Sequence, residues 1–339
     1  MWIKIILLCL FLFAGTIGAA SDIRQNIVSN RMIAICGIAA LLLEGLNLLL
    51  FPAEYLLIWV INLLIAAALA IVFYIGGIWA AGDVKLFLLL YVSIPYQWIE
   101  TDTLSMSVIP FLFIFLLAGI WLAADSLWQT LHHAERFDMQ EQLTWKRLLD
   151  VLKIYIQMSA LHMLCSWLFP SFCERNALFL AVMTLLYSYA CSSNRTLGSW
   201  PSIVLHGAFL FAGILMGKWH FSFSNNWIYF AAAAVLLFRH WAAGYNYRRI
   251  PTDAVCSGMI LSTAPVLSFA ASRIQGLPDN ASESMAARLT AKQAEAVRKW
   301  GRSAKGSKNI VIVRKIPFAI FIFGGMLAWI TVRLLGAWS

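Results

Sequence analysis

Ala80-Ala81-Gly82-Asp83-Val84-Lys85-Leu86 lies between two apolar runs, 56–78 and 85–99, each of membrane-spanning character. An ionised carboxylate in hydrocarbon costs about 2.5–3.5 kcal/mol on insertion scales, so Asp83 marks a span end, a functional site, or both. Working outward, a second aspartate closes the first apolar run, in Ser21-Asp22-Ile23-Arg24-Gln25-Asn26-Ile27-Val28-Ser29-Asn30. A pair of carboxylates is the minimum equipment for aspartyl-protease chemistry.

The composition agrees with a bilayer setting. The 339 residues are 61% apolar and 12% charged, against about 25% charged in soluble domains. Apolar runs near 20 residues recur, and a helix is the element that satisfies its own backbone in lipid. The expectation is an all-α polytopic membrane protein of about ten transmembrane helices. They are placed at 2–21, 32–51, 56–78, 85–99, 107–124, 154–171, 177–192, 199–217, 226–240 and 317–337, with amphipathic cytoplasmic segments and a small cytoplasmic insertion before the last helix. The corresponding organisation is a membrane core over 1–125, an amphipathic linker over 126–153, further helices over 154–240, a cytoplasmic segment over 241–316 and a last helix over 317–339. Lys4, an apolar stretch and Gly18-Ala19-Ala20 also suit a secretory signal, but the run lacks a basic region before it, so an uncleaved span is expected.

Lysine and arginine placement sets the expected orientation. With the amino terminus outside, the inner loops hold all of these residues except Lys4, Arg175, Lys218 and Arg333. Basic residues accumulate on the cytoplasmic side, so this orientation is expected and its inverse is not. Asp22 and Asp83 then lie at one depth, near the cytoplasmic surface. The net charge of +9 is thereby explained by topology, and no nucleic-acid partner is expected.

Other polar and reactive residues carry weaker signals. None of the six cysteines forms a C-x-x-C pair, and His132, His133 and Glu135 lack further ligands at zinc spacing, so no metal and no cofactor are expected. Glu44 and Asn47, one turn apart, are expected to hydrogen-bond between helices, and His162 and His206 to be packing residues. In the cytoplasmic segment, Thr290 is expected to cap a basic helix from Ala291 to Trp300, with Leu289, Val297 and Trp300 resting on the bilayer or on the other domain. Asn309-Ile310-Val311-Ile312-Val313 is a strand candidate.

Gly82-Asp83-Val84-Lys85-Leu86 resembles the G-x-G-D-x-K-L signature of type IV prepilin peptidases, the GxGD-type intramembrane aspartyl proteases. In that family the first aspartate is followed by basic residues and an Ile-Pro-Asn-like triplet, which Arg24 and Val28-Ser29-Asn30 match in spacing. Two spans separate the aspartates, as in the family. Lys315-Ile316-Pro317-Phe318-Ala319 and its continuation resemble the family's last span, and Ile250-Pro251-Thr252-Asp253-Ala254 is similar to a segment of longer members. The resemblance covers about residues 10–125 and these two later pieces. It implies a membrane aspartyl endopeptidase that removes a short basic leader from a prepilin or pseudopilin at the cytoplasmic face of the cell membrane. Asp22 and Asp83 would be catalytic, with Gly82, Lys85, Arg24 and Asn30 supporting or positioning substrate. Membrane lipids are the other expected partner.

Three departures qualify the resemblance. Ala80 stands where the signature has its first glycine, Ser29 stands where the triplet has proline, and the cysteine-rich amino-terminal domain is missing, so methyltransferase activity is not expected. The reading from a different class is a multi-span transporter or non-catalytic assembly factor, with Glu44 and His206 lining a path. No internal repeat of the kind many transporters carry is evident.

Overall fold

A computed structural model describes residues 2–25, 27–50, 56–75, 78–99, 104–131, 145–193, 199–217, 247–269, 272, 274–279, 287–303, 306–314 and 316–336. The chain is mostly helical. Among the described residues, four helices are long and apolar enough to cross a membrane: α1 (Trp2–Gln25), α2 (Asn30–Leu50), α3 (Leu56–Ile75) and α5 (Ile109–Leu131). Between them comes α4 (Ala81–Val92), and after them α6 (Trp145–Leu168), α7 (Pro170–Arg175), α8 (Ala177–Ser193) and α9 (Trp200–Leu215). The last helix, α12 (Ala319–Leu334), is shorter and apolar, as is α9. The expected span 226–240 lies outside the described residues.

The expected fourth span, 85–99, takes a different form. Helix α4 has 12 residues and so rises about 18 Å, well short of the ~30 Å hydrocarbon core. Ser93 ends it, and the chain continues as 3-10 turns at Tyr96–Ile99 and Leu104–Ser107. Non-helical backbone survives at such depth only where protein buries it. Ser93, Ile94, Tyr96, Met106 and Val108 are indeed all buried. The backbone N–H of Tyr96 donates to Glu44 Oε1 at 2.9 Å, and that of Leu104 to Asn176 Oδ1 at 2.8 Å.

Cross-helix contacts fix the directions of the core. Asn30 meets Lys85 and Glu44 meets Tyr96, so α2 and α4 run parallel. Trp79 meets Phe318 and Tyr91 stacks on Trp329, so α4 and α12 also run parallel. Phe323 packs on Phe11 while Ala319 meets Asp22, so α1 runs antiparallel to α12 and hence to α4. Glycines permit the closest approaches. A Cβ on Gly325 of α12 would stand 2.6 Å from the Cα and N of Ile114 in α5, and one on Gly15 of α1 would collide with the Phe323 ring. Such small residues are how membrane helices bring their backbones together.

The segment before α12 is a separate small fold, which qualifies the all-α expectation. Strands β1 (Tyr247–Pro251) and β2 (Asn309–Val313) pair antiparallel, Tyr247 with Val313 through to Pro251 with Asn309. Helices α10 (Thr263–Phe269) and α11 (Ala291–Gly301) cover them. The β2 strand and the Thr290 cap are as expected: Thr290 Oγ1 accepts from the Gln293 N–H at 3.3 Å. The lipid-facing role of Leu289, Val297 and Trp300 is corrected, because all three are buried with Val255, Leu261, Phe269, Ile310 and Ile312 in the unit's own core. Beyond β2, Arg314 forms a two-pronged ion pair with Asp125 of α5, at 2.9 and 3.3 Å, which ties the unit's exit to the helical core.

Candidate active site

The two aspartates are placed by neighbouring helix starts. Ala80 is the cap residue of α4, with φ −81° and ψ 161°. Asp83, at the third helical position, reaches back so that its Oδ2 accepts from the Ala80 N–H at 2.9 Å. This is the carboxylate half of a capping box, and it explains why the helix begins inside the polar motif. Asp22, in the last turn of α1, presents Oδ2 to the N–H of Ala319 at 3.1 Å. The first turn of α12 has N–H groups without intrahelical partners, and Asp22 satisfies one of them. Both carboxylates are almost fully buried, Asp22 at 6% and Asp83 at 7% exposure.

The two helix starts adjoin each other. Trp79, just before the α4 cap, and Phe318, just before Ala319, are in ring contact at 6.0 Å. Trp79 is 2% exposed and also packs on Phe73 of α3, Phe87 of α4, and Phe111 and Phe115 of α5. An aromatic pair contributes about 0.5–1.5 kcal/mol beyond area burial, so this ring is a strong anchor for the entry to α4. On the other side, a Cβ on Gly18 of α1 would lie 2.8 Å from Leu86 Cδ1 of α4. Asp22 is one turn beyond Gly18, and Asp83 one turn before Leu86. Antiparallel packing therefore carries both aspartates to the same end of the α1–α4 contact.

No family model matches the chain, nor does any curated protein or solved structure.

The supporting residues divide. Lys85 is exposed and donates from Nζ to Asn30 Oδ1 at 2.9 Å, joining α4 to the first residue of α2. Arg24 is exposed at the end of α1 and forms no ion pair among the described residues, in keeping with a position that points away from Asp22. Gly82 lies beside Val28, but a Cβ there would stand 3.6 Å from the Val28 side chain, an ordinary contact. Close helix approach is therefore not what Gly82 supplies; Gly15, Gly18 and Gly325 supply it. Ala80 has an extended conformation open to any residue, so its backbone needs no glycine. Ser29 precedes the first residue of α2, where its C=O accepts from the Ile33 N–H at 3.1 Å, and serine is a favoured residue at such a cap.

Glu44, Asn47 and His206 are engaged structurally. Asn47 donates to Glu44 Oε2 at 2.8 Å within α2 and exchanges two 3.0 Å hydrogen bonds with Gln97, so the bonds expected between helices run instead inside α2 and to the 3-10 turn at Tyr96–Ile99. His206 lines an apolar groove of about 320 Å³ among α6, α8 and α9. Its Nδ1–H donates to the Ser202 C=O at 2.7 Å, because a carbonyl only accepts, and Nε2 then accepts from Tyr187 Oη at 2.9 Å. Both ring nitrogens are occupied, as a packing histidine requires. Among the described residues no cluster of three or more metal-ligating side chains occurs; His132, His133 and Glu135 lie outside them. Trp79, Ala319 and the Arg314–Asp125 pair were not singled out as contributors by the sequence. Trp79 directly precedes the motif, which is its one sequence signal, whereas Asp125 and Arg314 are too far apart in the chain to suggest each other.

Proposed function

We propose that this chain is a membrane aspartyl endopeptidase of the prepilin peptidase type, cleaving a short basic leader from a prepilin- or pseudopilin-like substrate at the cytoplasmic face of the cell membrane. The observation that supports this most is the placement of Asp22 and Asp83. Both are buried, each is held by an N–H at the start of a different helix, and the residues preceding those two N–H groups touch.

In this reading the two carboxylates come within reach of one water and share one proton, since like charges at short range do not both persist. The ionised carboxylate takes a proton from water as the hydroxyl attacks the scissile carbonyl. The protonated one donates to the carbonyl oxygen, and the tetrahedral species collapses with proton transfer to the leaving amine. No covalent enzyme intermediate forms and no cofactor enters. The dyad acts as a unit, so the two roles are not divided between named residues. Gly82, free of tight packing, leaves room for substrate backbone, and the Lys85–Asn30 bond holds the chain after Asp22 against α4. Exposed Ile23 and Ile27 present an apolar flank beside Asp22 along which a substrate helix can lie in lipid.

The finer topology belongs to the same proposal: about ten crossings, the amino terminus outside, and the aspartates on the cytoplasmic side, as lysine and arginine placement favours. Coexpression with prepilin-like substrates tests the reading. Leader removal by the unsubstituted chain, lost in Asp22→Asn, is the expected result. Unchanged leader length with every candidate, together with solute flux in vesicles, would favour the transporter reading instead.

A further inference from the structure

We propose that the unit from Tyr247 to Arg314 is an electrostatic contact for anionic phospholipid headgroups, docking on the membrane surface at the aspartate end of the helical core. From 247 to 314 the sequence carries eleven lysines and arginines against four aspartates and glutamates. Two of the three described acidic residues of the unit are taken up in ion pairs, and the third, Asp279, is exposed. Asp253 pairs with Arg302 at 2.9 Å and Glu295 with Lys299 at 2.9 Å. Arg298 is engaged on the Val255 C=O at 2.9 Å, and Arg314 on Asp125. Arg248, Lys292 and Lys308 are exposed and hold no ion pair among the described residues.

Position adds to charge. Arg314 is bonded to α5, and only five residues later Ala319 donates to Asp22. The unit therefore leaves directly into the end of the core that carries both carboxylates, where a bilayer surface would meet it. Among the described residues, its large apolar side chains are buried in or packed against its own core, Leu289, Val297 and Trp300 fully so. Attraction to the surface is then coulombic and not insertive: it requires anionic lipid and is screened by salt. A basic leader would be repelled by the same surface, so a leader-docking role is disfavoured; the lipid contact itself does not depend on the protease reading.

The test uses the full chain reconstituted in vesicles. A fluorophore is attached at Ala291→Cys, an exposed position beside Lys292, in a Cys9→Ser, Cys256→Ser background, and a nitroxide quencher is carried on lipid headgroups. Each cation near an anionic surface favours the docked form about fivefold, so replacing three changes the docked-to-undocked ratio about a hundredfold. Quenching is expected to be strong with phosphatidylglycerol present, weak in pure phosphatidylcholine, and weak at about 1 M salt, where the screening length is about 3 Å. The combined Arg248→Gln, Lys292→Gln, Lys308→Gln protein should lose the difference between lipids. Its circular dichroism should be unchanged, because all three side chains are exposed. Equal quenching in neutral and anionic vesicles overturns the proposal, as does full quenching in the triple variant.

Discussion

Glu44 offers the most detailed test of how the core is built. Its Oε1 accepts from the Tyr96 N–H and its Oε2 from Asn47, whose amide is locked against Gln97 by two reciprocal bonds. Glu44 is 3% exposed and Asn47 fully buried. Leucine at 44 fills similar space but accepts nothing, so the Tyr96 N–H and one N–H of Asn47 lose their acceptors. Leaving a buried donor unsatisfied costs about 1–3 kcal/mol, which gives about 2–6 kcal/mol for Glu44→Leu. Glutamine behaves differently. Its Oε1 keeps the Tyr96 bond, and its Nε2 takes the place of Oε2. A concerted flip of the Asn47 and Gln97 amides then turns every donor–acceptor contact around and restores the network. Glu44→Gln should therefore stay within about 1 kcal/mol of the parent chain, since buried charge contributes little net stability. Reversible unfolding in mixed micelles measures both. Equal destabilisation by glutamine and leucine would refute the network as the cause, and so would a leucine variant as stable as the parent.

Other predictions concern packing and coupling. Gly325→Ala should cost about 1–3 kcal/mol by overpacking against the Ile114 backbone, whereas Gly82→Ala, facing an ordinary contact with Val28, should leave unfolding unchanged; the same micelle assay compares them. Loss of leader cleavage in a stably folded Gly82→Ala protein would locate that glycine's role at the substrate. Arg314→Gln breaks the two-pronged pair with Asp125, whose side chains are 30% and 21% exposed. A loss of about 1–3 kcal/mol is expected, read most sensitively as faster hydrogen exchange at the start of α12, with α1 and α2 unaffected.

Much of the helical core was legible because apolar runs in α1, α2 and α3 are long and are interrupted by charge. The expected starts and ends fall within a few residues of Trp2–Gln25, Asn30–Leu50 and Leu56–Ile75. Hydropathy misplaced α4, expected at 85–99 and found at Ala81–Val92, because its start is set by a polar event, Asp83 accepting from Ala80. The rest of that span was not recognisable as a 3-10 turn, since Tyr96 is held by Glu44, distant in sequence, just as Asn176 holds Leu104 at the next turn. Strand β1 was missed: Arg248, Arg249 and Pro251 break any apolar alternation, and only pairing with β2 makes Tyr247–Pro251 a strand. Leu289, Val297 and Trp300 form an apolar stripe that looks the same whether it meets lipid or a protein core. The two aspartates were legible from their cost in an apolar chain, but their helix-start donors were not.

The central claim is that Asp22 and Asp83 form one catalytic pair. Asparagine at either position keeps an oxygen for Ala319 or Ala80, so both variants should fold and insert as the parent does. The decisive measurement is the rate of leader cleavage by purified protein in lipid nanodiscs, for the parent, Asp22→Asn, Asp83→Asn and the double variant. Groups that act as a unit are strongly non-additive, so each single variant is predicted to fall to background and the double variant no further. Parental cleavage by Asp83→Asn, or partial losses that multiply in the double variant, would contradict the account.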